Sequence, residues 1–519
     1  MGIAEMNHLS NLLDRAAREH PRTVAVQDER GRTYTYRELD RAADRVAARL
    51  VRWGVGRGDR VGVFLPKSLE AVAAIHGIVR TGAAYVPIDP TAPVSRGAGI
   101  LSDCAVRTVV ASDDLAASLR ECWTGTAPLP RMIVVGEAND PGDASWDAVM
   151  ADDAPSPSRP RYRSSDLAYI LSTSGSTGRP KGVMLSHANA FCFLDWCDQA
   201  LDLREGDRHS SHAPFHFDLS TFDLFAPCRR GGTVILIGEA LGRDPARLGD
   251  FVARSGIDVW YSAPSILALM ESHGKIDREG FRAPRLVLFA GEVFPIPALK
   301  RLRSAWPDSA MWNLYGPTET NVCTAHRIPK TIDPNRTEPF PIGRVCAPMQ
   351  ARVVDEHDRD ADQGELLISG AGVTRGYFAR PDLTDRAFLV DDDGTRWYRT
   401  GDLVDDDGTG LYTFRERRDR MVKKRGYRIE LGEIESALHQ HEDVEGAAVV
   451  ASQTDEGVDI AAFVAIKPGR KRSIIAMKRH CTNYLPHYMV PDRVEFVDEV
   501  PRTSTDKVDY QMLARAANA

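Results

Sequence analysis

An apolar run, Leu167 to Leu171, passes directly into Ser172-Thr-Ser-Gly-Ser-Thr-Gly-Arg-Pro-Lys-Gly182. Glycines let backbone N–H groups turn inward on a phosphate, hydroxyls add donors, and a lysine supplies positive charge. A flexible Ser/Gly linker shares this composition, but linkers seldom follow a buried strand or end in Pro-Lys-Gly. A Walker A loop needs Gly-x-x-x-x-Gly-Lys-[Ser/Thr] opening a helix. Here Gly175 and Gly178 stand three apart, Pro180 precedes Lys181 and Gly182 follows it, so that loop is excluded. P-loop phosphotransfer goes with it.

Short apolar strands must carry such a loop, and the sequence supplies them. Arg60 to Leu65, Tyr85 to Ile88, Val109-Val110, Met132 to Val135, Thr233 to Ile237 and Leu286 to Phe289 read as buried strands. Helical patterns such as Ser68 to Val79 separate them, which implies parallel sheets covered on both faces. Residues 136–165, rich in Pro, Asp and Ser, read as a surface connection. From Ala351 the texture changes to strands and turns, the mark of a small β-barrel-like region. Asp391-Asp-Asp-Gly394 and Asp405-Asp-Asp-Gly408 lack the rest of a calcium loop and read as hairpin turns. Past Arg415 to Arg428 lies a small α+β unit: a helix over Ile434 to His439, strands at Ala447–Val450 and Ile460–Ile466, a helix over Ser473 to Tyr484, and a strand at Val494 to Val497. The expected organisation is α/β, with a large domain at 1–418 and a small one at 419–519 that rotates.

At 519 residues the chain exceeds a single core. Its 43% apolar and 27% charged residues are those of a soluble globular protein, and a net charge of −7 argues against nucleic-acid binding. The eight cysteines are scattered and read as reduced packing residues. Met1 to Met6 has neither a secretory pattern nor, with Met6, a myristoylation pattern, and no run approaches the ~18 apolar residues of a membrane span. A cytoplasmic protein is expected.

The loop at 172–182 resembles the signature of the adenylate-forming superfamily: acyl-CoA synthetases, luciferases and the adenylation domains of nonribosomal peptide synthetases. The rest of that family's motif series follows in order along nearly the whole chain. It comprises Thr35-Tyr-Arg-Glu-Leu39, Gly82-Ala-Ala-Tyr-Val-Pro-Ile-Asp-Pro90, Phe217-Asp-Leu-Ser220, Asn313-Leu-Tyr-Gly-Pro-Thr-Glu-Thr320, Gly364-Glu-Leu366 through Gly376-Tyr377, Tyr398-Arg-Thr-Gly-Asp402, Lys423-Lys-Arg-Gly-Tyr-Arg-Ile-Glu430 and Asp506-Lys-Val-Asp509. Activating a carboxylate with ATP joins two anions, so such a site must neutralise charge and align an in-line attack on the α-phosphate.

The resemblance implies the parts. Thr173, Ser174, Gly175, Ser176, Thr177, Gly178 and Lys181 hold the β- and γ-phosphates of ATP. Glu319 binds Mg2+, and Thr318 contacts the α-phosphate. Tyr315 stacks on adenine near Gly291 and Glu292, with Asn313 and Gly316 in the same nucleotide-binding set. Asp402, assisted by Arg417, takes the ribose hydroxyls. Lys507 is the catalytic residue, a flexible ammonium that bridges the carboxylate and the α-phosphate. Asp506 stands where the family usually has Gly, and Glu416-Arg417 where Gly-Arg is common. Asp419 is the hinge. Rotation there withdraws Lys507 and brings Lys423 to Gly426 in to line a tunnel for a thiol arm.

Asp218 pairs with a substrate ammonium in the amino-acid-activating members, and an unpaired buried carboxylate would cost several kcal/mol. The alternative is an Asp capping the following helix. The remaining specificity positions are Leu219, Phe222, Tyr261, Leu288, Ala290, Leu314, Val322 and Cys323. None is charged, and Phe222 and Tyr261 fill space that Leu or Phe would need. The expected substrate is a small α-amino acid, alanine first, then serine, glycine, cysteine or 2-aminobutyrate. Cys stands at the Ala290 position in D-alanine-activating relatives, which favours the L-enantiomer here. The sequence shows no carrier module or condensation motif, so the expected partner is a separate carrier protein with a phosphopantetheine thiol. Arg415 to Arg428 could dock such an acidic partner. An acyl-CoA synthetase for a non-amino acid, or a non-catalytic member of the fold, are the rivals.

Overall fold

The computed structural model describes residues 7–124, 128–153, 158–175, 180–418, 420–454, 457–502 and 508–517. Two large sheets dominate. One has seven strands in the order Ala144–Ser145, Arg131–Val135, Thr108–Ser112, Arg60–Phe64, Ala84–Pro87, Leu167–Thr173 and Lys181–Ser186. All neighbours are parallel except the last pair, the hairpin on either side of the phosphate-type loop. The other sheet has nine strands, parallel at its centre, where Arg208–Ser211, Val259–Ser262, Leu286–Ala290 and Ala310–Tyr315 lie side by side. Helix Leu69–Arg80 has every residue but Glu70 buried, and Ser68 caps it by accepting from the Ala71 N–H. Buried strands with apolar residues on both faces, spaced by helices, are what the sequence pattern predicts.

The connection expected over 136–165 contains more structure than its composition suggests. A two-residue strand, Ala144–Ser145, leads into a short helix, Trp146–Met150, capped by Ser145. Trp146 and Val149 anchor it in the core, and two apolar residues are too few to register against so much Pro, Asp and Ser.

The turn-rich region is a five-stranded antiparallel sheet over Gln350–Val354, Gln363–Ser369, Phe388–Val390, Arg396–Asp406 and Tyr412–Arg417. Both Asp-rich segments lie at hairpin turns between its strands.

Beyond Arg417 the chain forms a hairpin, Met421–Lys424 with Tyr427–Glu430, then helix Leu431–His439 and a three-stranded sheet. That sheet pairs Val444–Thr454 with Gly457–Ile466, and the latter with Arg493–Val497. The period of two is plain in it. Ala447 and Val449 face the helices Leu431–His439 and Ile474–Tyr484, whereas Ala448 and Val450 face helix Tyr510–Ala517. This unit therefore has a core of its own. Its contacts with the rest of the chain are largely polar and pass through the Met421–Glu430 hairpin and the helix that follows.

Candidate active site

Three cavities meet where the hairpin enters the large domain. Two neighbouring strand ends and the turn after Tyr315 build the first, a chamber of about 770 Å³ lined by Gly291, Glu292, Asn313, Leu314, Tyr315, Asp402 and Arg417. Here Asp402, 1% exposed, is held from both sides. The Tyr315 hydroxyl donates to its Oδ2, and Arg417 Nη1 lies 2.6 Å from its Oδ1. A fixed carboxylate at the edge of an aromatic-walled chamber can receive a pair of vicinal hydroxyls. Asn313 lines the chamber and donates to the Pro341 carbonyl at 2.9 Å. Glu292 accepts from Ser265 N at 3.0 Å and from Gly426 N at 2.7 Å, so it ties a helix start to the hairpin turn.

A second, narrow space of about 110 Å³ adjoins it, lined by Thr173, Ser174, Asp218, Leu219, Ala290, Gly316 and Thr318 among others. The turn that aims Thr318 is tight: a Cβ on Gly316 would lie 1.6 Å from the Asn321 carbonyl, so only glycine fits. Thr318 Oγ1 donates to Asp218 Oδ2 at 2.8 Å. Burial pushes the Asp218 carboxyl above the usual carboxylate value, while Thr318 and Lys423 pull it back. Behind Asp218 the other expected specificity residues come together in one apolar cluster with Tyr315: Phe222, Tyr261, Leu288, Ala290, Leu314, Val322 and Cys323, with Leu219 against it. Sheet register places Tyr261 beside Leu288 and Ala290 beside Leu314. Phe222 and Tyr261, both fully buried, meet edge to face at 5.6 Å.

Glu319 sits beside this space, wholly buried. Tyr377 Oη donates to its Oε1 at 2.7 Å, and Lys181 Nζ lies 3.5 Å away and 3.1 Å from Tyr377 Oη. Arg428 Nη1 reaches both carboxylate oxygens, at 3.0 and 3.3 Å. Burial alone would raise the Glu319 pKa, but Arg428 and Lys181 hold it well below the carboxylate range. Burial lowers the pKa of Lys181, and Glu319 opposes that. A lone buried carboxylate suits magnesium, which takes one or two carboxylates and fills its other positions with waters and substrate phosphates. Among the described residues no group of three or more His, Cys, Asp or Glu could hold a metal on its own. Thr173 Oγ1 is buried there with no hydrogen-bond partner among the described residues, a donor facing the same space.

The third cavity, about 1020 Å³, runs outward from this point along Pro87, Asp89, His216, Phe217, Ala263, Gly426, Tyr427 and Tyr488. Gly426, with φ +81°, packs in its wall, where a Cβ would lie 3.2 Å from Ala263 Cβ. Lys423, one strand earlier in the hairpin, lies 5.5 Å above the Tyr315 ring and is electrostatically coupled to Asp402 and Asp218.

Ser176, Thr177, Gly178, Asp419 and Lys507 lie outside the described residues. Ser174 Oγ donates to the Arg428 carbonyl at 2.8 Å, and Gly175 N–H is bonded to Glu433. The basic run Arg415 to Arg428 is not a free docking face. Arg415, Arg417, Arg418, Arg420, Lys424 and Arg428 pair with Asp405, Asp402, Glu365, Glu435, Asp492 and Glu319 in turn. Sequence reasoning missed individual roles for Tyr377, Arg428 and Lys67. The first two stand inside quoted motifs. Lys67 shows no such signal, yet its Nζ sits 2.6 to 2.9 Å from the Ser211, His212 and Ala213 carbonyls in the wall of the third cavity.

Residues 13–378 match the AMP-binding enzyme family, and residues 433–507 match the AMP-binding enzyme C-terminal domain. An L-proline–[L-prolyl-carrier protein] ligase of Pseudomonas fluorescens is 38% identical over 500 residues, 96% of either chain. The protein of the same name from Streptomyces coelicolor is 38% identical over 491 residues, covering 92% of this chain and 91% of that one. The Vibrio cholerae adenylation domain AlmE, solved with glycyl-adenosine-5'-phosphate, shares the fold with a TM-score of 0.84 at 23% identity, covering 100% of this chain and 98% of that one. No described helix is long and apolar enough to cross a membrane.

Proposed function

The chain belongs to the AMP-binding enzymes, the adenylate-forming ligases, and we propose that it activates L-proline as prolyl-AMP and transfers the prolyl group to the phosphopantetheine thiol of a separate carrier protein. The observation that carries this reading is Asp218: a buried carboxylate, steadied by Thr318 and drawn on by Lys423, with no charged residue among the other expected specificity positions. Such a group awaits a cation, and a substrate α-ammonium supplies one. Two relatives 38% identical over nearly the whole chain are named for L-proline, and this moves proline ahead of alanine. Proline obeys the same steric limits. Its side chain closes back on its own nitrogen, so it adds three carbons without reaching the depth filled by Phe222 and Tyr261.

In the first half-reaction the substrate carboxylate attacks the α-phosphorus and pyrophosphate leaves. Thr173 to Gly178 and Lys181 hold the β- and γ-phosphates, Thr318 reaches the α-phosphate, and Lys507 bridges it to the incoming carboxylate. Asn313, Tyr315, Gly316, Gly291 and Glu292 form the adenine side, and Asp402 with Arg417 holds the ribose. Glu319 is the ligand for magnesium, which when bound neutralises phosphate charge. In the second half-reaction the thiol sulfur attacks the carbonyl carbon, AMP departs and the thiol proton is released. The cavity beside Gly426 and Phe217 suits the arm, and the small domain, from residue 419 onward, turns about Asp419 between the two steps.

The test is amino-acid-dependent ATP–pyrophosphate exchange across the twenty amino acids, D-alanine and 2-aminobutyrate, with Lys507→Ala as control. The expected result is exchange with L-proline at least about tenfold above alanine, a gap of the size set by a methylene or two in an apolar pocket. In the control, exchange falls by about 10²–10³, the loss that follows removal of one transition-state donor. Exchange led by alanine would restore the small-substrate ranking. Exchange with none would overturn the amino-acid reading.

A further inference from the structure

Lys67 joins the two large sheets. It follows strand Arg60–Phe64 of the seven-stranded sheet by three residues, between Pro66 and the helix-capping Ser68. Its Nζ reaches across to the end of strand Arg208–Ser211 in the nine-stranded sheet. There it donates to three consecutive carbonyls, Ser211 at 2.6 Å, His212 at 2.9 Å and Ala213 at 2.8 Å. The charged ammonium, with three donors, is the form that satisfies all three. The same Nζ lies 5.7 Å from the centre of the Phe215 ring, so it holds the segment twice. Asp218 stands five residues beyond Ala213. Between them Phe217 N–H donates to the Pro214 carbonyl at 3.0 Å and Ser220 Oγ to the Phe215 carbonyl at 3.1 Å, which stiffens the loop from the held carbonyls to the carboxylate. Burial lowers the Lys67 pKa to about 7, and Asp223, wholly buried on the helix after Asp218, leads the carboxylates that oppose this.

We infer that Lys67 is a positioning residue: by clamping Ser211 to Ala213 it fixes Asp218 relative to the phosphate loop, which the other sheet carries. The inference rests on the reading of Asp218 as the partner of the substrate ammonium. In that reading the amino acid spans the narrow space lined by Thr173 from one sheet and Asp218 from the other. Its nitrogen meets Asp218 and its carboxylate meets the α-phosphate. One carbon joins the two groups, so the substrate cannot stretch to follow a sheet that shifts. An error of an ångström there falls on the in-line attack and costs about a hundredfold in rate. Thr318 also bonds Asp218, but it follows strand Ala310–Tyr315 of the nine-stranded sheet and steadies the carboxylate within that sheet. Lys67 lines the third cavity and not the narrow space, so it acts through the loop rather than on the substrate.

The experiment is a double-mutant cycle of Lys67→Met with Asp218→Asn in the full chain. It is read by ATP–pyrophosphate exchange with L-proline, or with whichever amino acid leads the panel. Lys67→Met alone should lower amino-acid kcat/KM by about tenfold to a hundredfold and leave KM for ATP within about threefold. In the Asp218→Asn background the same substitution should cost less than about threefold, because its effect passes through the carboxylate. A residue serving general stability gives the same loss in both backgrounds, and that additivity overturns the inference. The three carbonyls border a cavity of about 1020 Å³ that water can enter, so Lys67→Met is expected to fold. Should it not, Lys67→Gln, which keeps two donors without the charge, enters the same cycle with the same non-additive pattern expected. Amide hydrogen exchange, read by mass spectrometry, follows the loop without turnover. In Lys67→Met the amides of 212–222 should exchange about tenfold faster or more, with strand Leu286–Ala290 unchanged. Equal amide exchange in wild type and variant overturns the inference. A wild type that turns over no amino acid, but whose loop is loosened by Lys67→Met, sinks the ligase reading and sustains the clamp.

Discussion

At the scale of single residues, the site is a set of buried carboxylates, each held by a hydroxyl or a guanidinium. In the proposed function Asp218 is the one that meets the substrate. Asp218→Asn keeps the hydrogen bond from Thr318 and removes the charge, so the expected loss in kcat/KM for the amino acid is about 2–5 kcal/mol, as for one partner of a buried charge pair. KM for ATP should move little, which separates a binding role from collapse of the site. A pH limb follows. Because burial raises the Asp218 pKa, the ionised form needed to meet the ammonium is lost at a higher pH than an ordinary carboxylate would require. Amino-acid kcat/KM should therefore fall as pH drops, and that limb should be absent from the residual rate of Asp218→Asn. A limb that persists in the variant would place the titrating group elsewhere. Much of this was legible in the sequence, because motifs fix residue types where the chemistry demands them. What the sequence hid were partners brought by folding. Nothing in the spacing of Thr318 and Asp218 announces a 2.8 Å bond across 100 residues, nor that Tyr377 and Arg428 converge on Glu319.

At the scale of elements, the proposed function gives the Met421–Glu430 hairpin the choice between the two half-reactions. Its turn glycine packs against Ala263 and Phe217 with a positive φ, so a larger residue there is excluded twice, by backbone and by space. Gly426→Leu should keep the hairpin from seating. Transfer to a thiol acceptor then drops by about a hundredfold or more, while prolyl-AMP formation, followed by pyrophosphate exchange, changes by about threefold or less. Equal losses in both assays would show the glycine serving general stability. The same hairpin shows where element-level reading succeeds and fails. Apolar runs disclosed the buried strands Arg60–Phe64 and Leu286–Ala290 within one residue and Gly457–Ile466 within three. The helix Trp146–Met150 and the destiny of the basic run escaped it. Local composition reports solvent preference on average, whereas Arg417, Lys423 and Arg428 point into a site lined by distant carboxylates.

At the scale of the whole molecule, the small domain has a core separate from that of the large one. The small domain buries its own apolar clusters on both faces of its three-stranded sheet, and none of those residues belongs to the large core. Between the bodies lie ion pairs and single hydrogen bonds, plus the Phe217–Tyr427 ring contact at 4.7 Å. A polar boundary of that kind costs little to break and remake, because each group can exchange its partner for water or a ligand. A domain that carries its own core should fold without its neighbour. Residues 420–519 expressed alone are expected to unfold in urea in one transition, with a slope of about 1–2 kcal/mol per M and a stability of about 5 kcal/mol, ordinary for a chain of that length. In the full chain the same transition should appear as a separate phase at a somewhat higher midpoint, since the interface adds ion pairs but few apolar contacts. The charge carried by Arg428 links this to the chemistry. With Glu319 replaced by Gln, the docked state loses its strongest buried pair, and the small-domain phase should shift toward that of the isolated fragment. A fragment that stays unfolded would mean the small domain depends on the large one for its core, and a rigid rotation between half-reactions would lose its structural basis.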